Sequence, residues 1–403
     1  MINLEVPKKL GGLVEQARLS AAEIFRPNSR KYDRAEHTYP IELDMLASLI
    51  DGLNASGQGG AGASGVRRDK KAERRSGVRN GGNLATVLGT IEMCWGDVGL
   101  LLSMPRQGLG NAAIASVANE EQLARFAGKW AAMAITEPDC GSDSAAIRTT
   151  AVVDGDHYVL NGEKIFVTAG ERADAVVVWA TLDRGLGRAA IKSFVVERGT
   201  PGFKLVRLEK KLGIRASDTA HFMLTDVRVP KENLLGDPEV NVRQGFAGVM
   251  QTFDNTRPLV AAMAVGVARA ALEETATLLA EAGVEVSYDR PANSQHAAAA
   301  IFLGLEADWE AAYLLTLQAA WLADNGKPNS LQASMAKAKA GRSATDIALR
   351  CVELAGTVGY SENLLLEKWA RDAKILDIFE GTQQIQNLII ARRLLGLTSS
   401  QLK

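Results

Sequence analysis

Cysteine is scarce: the 403 residues hold only Cys94, Cys140 and Cys351, isolated from one another and without paired-thiol spacing. That excludes a disulfide framework and argues against a thiolate zinc site, so no metal is expected. An excess of either charge is also missing. Lys plus Arg number 46 against 47 for Asp plus Glu, a formal net charge of −1, and no broad basic surface for nucleic acid is implied. No apolar run is long enough to cross a bilayer, and the N-terminus lacks the long apolar core of a secretory leader. A reducing cytoplasm is the expected setting. What is present is an ordinary globular composition, 47% hydrophobic, at a length that suits two or three domains.

The texture changes twice along the chain. Residues 1–132 read as a helical domain, with Leu13, Ala17, Ala21 and Ile24 spaced for one face and Ile41, Leu43, Leu46 and Ile50 for another. A Gly/Ser-rich stretch, 55–82, surrounds the basic run Arg67 to Arg75. A solvated loop is the plain reading, and contact with the phosphates of a ligand is the weaker one. Residues 133–240 read as β structure, with Asp154-Gly155 and Asn161-Gly162 as turn signals and runs at His157–Leu160, Ala175–Ala180, Ser193–Glu197 and Phe222–Val229. A small antiparallel barrel or sandwich is expected. Residues 241–403 return to long Ala- and Leu-rich helices, broken at Asn325-Gly326-Lys327-Pro328-Asn329. The predicted fold is therefore mainly α with a central β domain.

One carboxylate stands apart. Glu380 follows Ile378 and Phe379, precedes Gly381-Thr382, and sits where a strand-like stretch gives way to a helix carried by Ile385, Leu388, Ile389 and Leu394. Apolar neighbours partly desolvate such a group and raise its pKa toward that of a general base. On this segment alone, the commoner reading is a simple interaction with a helix dipole.

Several motif blocks shift the balance. Arg371-Asp372-Ala373-Lys374-Ile375 precedes the Phe379-Glu380-Gly381-Thr382 and Gln384-Ile385-Gln386 stretches. Far upstream stand Met133-Ala134-Ile135-Thr136-Glu137-Pro138, Gly141-Ser142-Asp143 and Asn161-Gly162-Glu163-Lys164-Ile165-Phe166-Val167-Thr168. Between them lie Gly213-Ile214-Arg215-Ala216-Ser217-Asp218-Thr219 and Val229-Pro230-Lys231-Glu232-Asn233-Leu234-Leu235-Gly236. In this order the blocks resemble the acyl-CoA dehydrogenase family, from about Ala131 to Leu397. The first 130 or so residues resemble it only through their helical texture.

The resemblance implies a helical N-terminal domain, a β middle domain and a C-terminal four-helix bundle. It implies noncovalent FAD, an acyl-CoA thioester substrate and an electron-transferring flavoprotein as acceptor. Glu380 corresponds to the base, and its backbone N–H would help a flavin ribityl hydroxyl hold the thioester oxygen. On the cofactor side the resemblance places Met133, Ile135, Thr136, Gly141 and Ser142 along the flavin, with Thr136 and Thr168 bonding its ring. Phe166 stands where the family often has Trp, and Thr382 and Gln384 complete that side. Ser142, Asp254, Arg257, Gly381 and Arg392 match positions around coenzyme A or the mouth of the site. Some branches place the base on an earlier helix; the matching residue here is Thr256, which cannot serve.

Two departures fall on the part of the family's site that grips the FAD pyrophosphate and adenosine. Family members carry Arg-x-x-Phe-Gly before a Gln, whereas Gln295 here follows Val284-Glu285-Val286-Ser287-Tyr288, and Arg290 is out of register. The family's Gln-x-x-Gly-Gly-x-Gly is here Glu353-Leu354-Ala355-Gly356-Thr357-Val358-Gly359. In the family's homotetramers that grip comes from a neighbouring subunit. The expectation is a catalytic subunit of a hetero-oligomer with a homologous partner, as in the actinobacterial two-plus-two subgroup, against a self-assembled oligomer. A non-catalytic assembly subunit and an acyl-CoA oxidase are the alternatives. Straight, branched and steroid side-chain substrates all stay open, and Gly266 or Gly304 would deepen the pocket unless either is a close-packing point.

Overall fold

The computed structural model describes residues 6–55, 81–106, 109–240, 247–398 and 401, with the side chains of 49–55 and 247–255 outside the description. The basic stretch expected as a loop therefore lies almost wholly outside the described residues.

The N-terminal helices are α1 (Gly11–Ser20), continued through a π-helical turn at Ala21–Phe25 into α2 (Arg26–Arg34), then α3 (Glu42–Ala55), α4 (Gly82–Gly96), α5 (Val98–Leu102), α6 (Leu109–Val117) and α7 (Glu120–Arg125). Phe25, Leu43 and Leu46 are buried together, whereas Ile41 precedes α3 and is 68% exposed, off the face its spacing suggested. The start of α4 is capped from a distance: Asp324 accepts from the N–H groups of Gly81, Asn83 and Leu84 at 2.9–3.0 Å. A carboxylate there satisfies orphan donors and complements the helix dipole.

Strands follow at β1 (Ala131–Ala134), β2 (Thr150–Asp154), β3 (His157–Thr168), β4 (Ala175–Thr181), β5 (Ile191–Glu197), β6 (Phe203–Leu208) and β7 (Thr219–Pro230). They form one seven-stranded sheet in the order β1-β4-β2-β3-β7-β6, with β5 also paired to β4. Pairing is antiparallel except that β1 runs parallel to β4, as does the single Thr150–Thr181 contact of β2 with β4. That parallel edge departs from the all-antiparallel expectation. Every residue of β4 is buried, because partners flank it on both sides. Asp154-Gly155 does make a hairpin turn, but Asn161-Gly162 lies inside β3 as a register shift against β7. A Cβ on Gly162 would sit 2.4 Å from Thr149 Oγ1, so the strand can approach there only without a side chain.

The C-terminal region holds α8 (Ala247–Glu281), α9 (Ala297–Asp324), α10 (Ser330–Gly359), α11 (Leu366–Leu376) and α12 (Gln383–Leu395). Helices α8, α9 and α10 pack on one another, α8 and α9 also pack on α4, and α11 and α12 lie against α10. Their shared core is rich in buried alanine, from Ala261 to Ala348, which lets the helices come close. Gly266 is one such point: a Cβ there would meet the Ile91 carbonyl oxygen of α4 at 2.4 Å, so it serves packing and not pocket depth.

Candidate active site

Glu380 sits between two helices. The stretch before it is the end of α11, not a strand, and the helix predicted beyond it is α12. Asp377 closes α11, and its carbonyl accepts from Gln383 N–H at 3.1 Å. Thr382 caps α12, its side chain accepting from Ile385 N–H. The intervening Glu380 and Gly381 both take positive φ, 56° and 94°. A left-handed Glu is strained by about 1–2 kcal/mol and persists only where its surroundings hold it.

Three side chains do the holding. Gln386 folds back from α12, its Nε2 donating to the Glu380 and Gly381 carbonyls, both at 3.2 Å; a Cβ on Gly381 would lie 2.3 Å from that nitrogen. Lys337 of α10, fully buried, donates to the Gly381 carbonyl at 2.6 Å. Thr256 of α8 donates its hydroxyl to Glu380 Oε2 at 2.9 Å. The carboxylate is thus bonded to a neighbouring helix, while Thr382 does the capping, which leaves little to the plain helix-dipole reading. Burial pushes the Glu380 carboxyl above the usual range, against the opposing pull of the Thr256 hydroxyl and the nearby cations of Arg257 and Lys337. Arg257 is buried beside Thr256, one residue before Pro258 interrupts α8.

A second cluster forms where β1 runs into the 133–142 segment. The Thr136 carbonyl accepts from Ile165 N–H at 3.0 Å, and Lys164 Nζ donates to the Ile135 carbonyl at 3.0 Å and to Glu137 Oε1 at 2.7 Å. Glu137 also accepts from Thr149 N–H and Oγ1 and from Arg148 N–H. Burial works against this carboxylate, but Lys164 and those donors hold Glu137 below the usual range. The buried pair locks the segment to a bulge in β3, where Phe166 takes φ 57° and is 60% exposed. Gly141 comes back toward Thr136 and, with Ser142, lies exposed at the far end of the turn. Met133, Ile135, Thr136 and Thr168 are half-buried.

The segment 213–218 ties the clusters together. Ala169 N–H, next to Thr168, donates to the Asp218 carbonyl, and Ile214 N–H donates to Asp372 on the helix that leads to Glu380. Glu380, Gly381, Thr382 and Arg257 therefore converge, as do Met133, Ile135, Thr136, Phe166 and Thr168. Gln384 is exposed on the first turn of α12, Arg392 is half-buried farther along it, and Asp254 lies in α8 with its side chain outside the described residues. A cleft of about 440 Å³ opens beside the Glu137 loop, lined in part by Arg148, Asn161 and Arg184; Glu380 is not among its lining residues.

Sequence reasoning gave no role to Lys337, Gln386, Glu137 or Lys164. A signal existed for the first: Lys337 falls on the stripe Ala333, Lys337, Ala340, Ala344, which is the spacing of a buried helix face.

The comparisons with known proteins agree with this architecture. Family models for the acyl-CoA dehydrogenase middle domain and C-terminal domain match residues 132–227 and 243–395. The short-chain-specific acyl-CoA dehydrogenase of Clostridium acetobutylicum is 38% identical over 66% of this chain and 68% of its own length. The mitochondrial short-chain enzyme of Bos taurus is 41% identical over 66% of this chain and 63% of its own. Two solved structures match over 98% of this chain and 100% of theirs, both with TM-score 0.82. They are butyryl-CoA dehydrogenase of Megasphaera elsdenii, at 29% identity, and a chain from work on the electron-transferring flavoprotein of Acidaminococcus fermentans, at 31%. The structural matches thus extend over the N-terminal helices.

The chain belongs to the acyl-CoA dehydrogenase family, whose members are FAD-dependent oxidoreductases. The cluster at 133–142 and β3 offers groups of the kind that cofactor can use. No protein group among the described residues engages the Thr136 or Thr168 hydroxyl, and Phe166 presents an aromatic face from a strained bulge. Among the described residues, no helix is long and apolar enough to cross a membrane.

Proposed function

We propose that this chain dehydrogenates an acyl-CoA thioester between its α and β carbons to give the trans-2-enoyl-CoA, with Glu380 removing the α-proton. The observation that carries the reading is the partly buried Glu380, held at positive φ and bonded to Thr256. Desolvation makes its carboxylate a stronger base than one in water, and the Thr256, Arg257 and Lys337 groups keep it from simply remaining protonated. FAD, when bound, supplies the hydride acceptor, flavin N5, that no side chain can provide. Thr136 and Thr168 would bond its ring and Phe166 would cover it. The Glu380 N–H would meet the charge that develops on the thioester oxygen, with Gly381 and Thr382 setting its direction. Electrons would then pass to an electron-transferring flavoprotein.

The test is Glu380→Gln, which keeps shape and removes the charge. Turnover is expected to fall about 10²–10⁴-fold with flavin content and fold intact. Near-wild-type turnover would remove Glu380 from the mechanism.

We further propose that the chain works with a homologous partner that completes the adenosine side. Here the candidate residues are occupied within the chain: Gln295 bonds the Ser287 backbone at 2.8 and 2.9 Å, Arg290 pairs with Glu285 at 3.1 Å, and Glu353 pairs with Arg350 at 2.5 Å. A Glu near a pyrophosphate would also oppose binding. Flavin should be scarce in the chain purified alone and reach one FAD per two subunits on co-expression with the partner. A homotetramer with one FAD per subunit would overturn this.

A further inference from the structure

We propose that Lys337 is a positioning residue for proton transfer: its buried ammonium clamps the Gly381 carbonyl, fixes the left-handed Glu380–Gly381 turn, and supplies positive charge that keeps the Glu380 carboxylate ionised in a desolvated site. The inference rests on the reading of Glu380 as the base.

Among the described residues, the other fully buried lysines are matched directly by carboxylate. Lys164 meets Glu137 at 2.7 Å, and Lys368 meets Asp97 and Asp372 at 2.7 and 2.5 Å. Lys337 is equally buried, yet among the described residues no carboxylate oxygen lies within ion-pair distance, and its hydrogen bond goes to the Gly381 carbonyl at 2.6 Å. An ammonium left so is expensive to bury. Four elements supply its surroundings. Arg257 faces it from α8, Asp377 from the end of α11 and Glu380 from the turn, and Gln386 of α12 shares its carbonyl acceptor. Asp377 has other cations, Lys374 at 3.4 Å and Arg342 at 3.6 Å. Asp377 is therefore divided among three cations, while Glu380 answers to Lys337 together with Arg257. Burial pushes the Lys337 ammonium down to about 8, opposed by Asp377 and Glu380 and helped by Arg257, so it carries its charge at neutral pH.

The experiment compares Lys337→Met, Lys337→Gln and Lys337→Arg in the flavin-loaded enzyme. Two quantities are read: the acid limb of kcat/KM against pH, and the infrared titration midpoint of the Glu380 carboxyl band, identified by its loss in Glu380→Gln. Loss of the charge in Met or Gln should move limb and midpoint upward together by a resolvable fraction of a pH unit, since removing a nearby cation disfavours the ionised carboxylate. Arg should return both close to wild type. An unchanged midpoint in Met or Gln, with flavin bound, would overturn the proposal. If Met fails to fold, Gln decides, because it keeps a donor for the Gly381 carbonyl and lacks only the charge. The infrared midpoint separates the two readings: turnover surviving in Glu380→Gln would sink the base assignment, while the midpoint would still report whether Lys337 governs the carboxyl.

Discussion

Lys337 and Lys368 lie on adjacent helices, both almost wholly out of water, and their environments drive them in opposite directions. Burial alone would push either ammonium down. At Lys368 the carboxylates of Asp372 and Asp97 outweigh burial and hold the ammonium above its ordinary value; at Lys337, with only a carbonyl as partner, burial wins. The first arrangement is a clasp. Asp97 stands between α4 and α5, where it also accepts from the Ser29 hydroxyl and from Leu100 N–H, and Asp372 accepts from Ile214 N–H, so one cation joins the N-terminal helices, the 213–218 segment and α11. The second leaves its charge incompletely answered, next to the residue assigned the chemistry. Perturbed groups that are not neutralised locally belong to sites more often than to frames.

The comparison breaks most directly at Lys368. Lys368→Met would strand two buried carboxylates, and a loss of about 3–5 kcal/mol in chemical denaturation is expected. The acid limb of kcat/KM in whatever folds should stay put, because Asp97 and Asp372 are not bonded to Glu380. A loss under about 1 kcal/mol would mean that the two carboxylates find relief without the lysine, by protonation or by water, so that Lys368 is not needed to neutralise them. A shifted acid limb would show the two lysines to be one electrostatic unit, and the contrast drawn between them would fail.

The helix start beyond Gly381-Thr382 was legible in the sequence as a local mark, whereas Glu380 was singled out by the ordered motif blocks and not by that mark. The long helices were legible from their alanine and leucine spacing. What escaped was set by distant partners. β1 is only Ala-Ala-Met-Ala, weak strand formers made a strand by parallel pairing with β4. β6 is mostly exposed and carries no apolar alternation to announce it. Asn161-Gly162 read as a turn because the same pair serves a bulge as well. Lys337 and Lys164 received no role from the sequence, because lysine is rarely buried, and only the packed structure shows what their ammonium groups touch.

A smaller change would sharpen the contrast from the other side of the carboxylate. Thr256→Val keeps the shape of the side chain and removes the hydroxyl that donates to Glu380 Oε2. That donor favours the ionised form, so its loss should raise the Glu380 midpoint further and move the acid limb of kcat/KM upward. The sign is set: activity falls on the acid side and recovers as pH rises past the new midpoint. A hydrogen bond to a charged group contributes about 1.5–3 kcal/mol, and the neutral acid would keep part of it, so a shift of about half a unit to one unit is expected. Lys337→Gln should shift the midpoint in the same direction and by less, because the hydroxyl is bonded directly to Oε2 while the ammonium lies beyond ion-pair distance. If the glutamine variant left the midpoint in place while the valine variant moved it, the lysine would be left with the backbone turn alone.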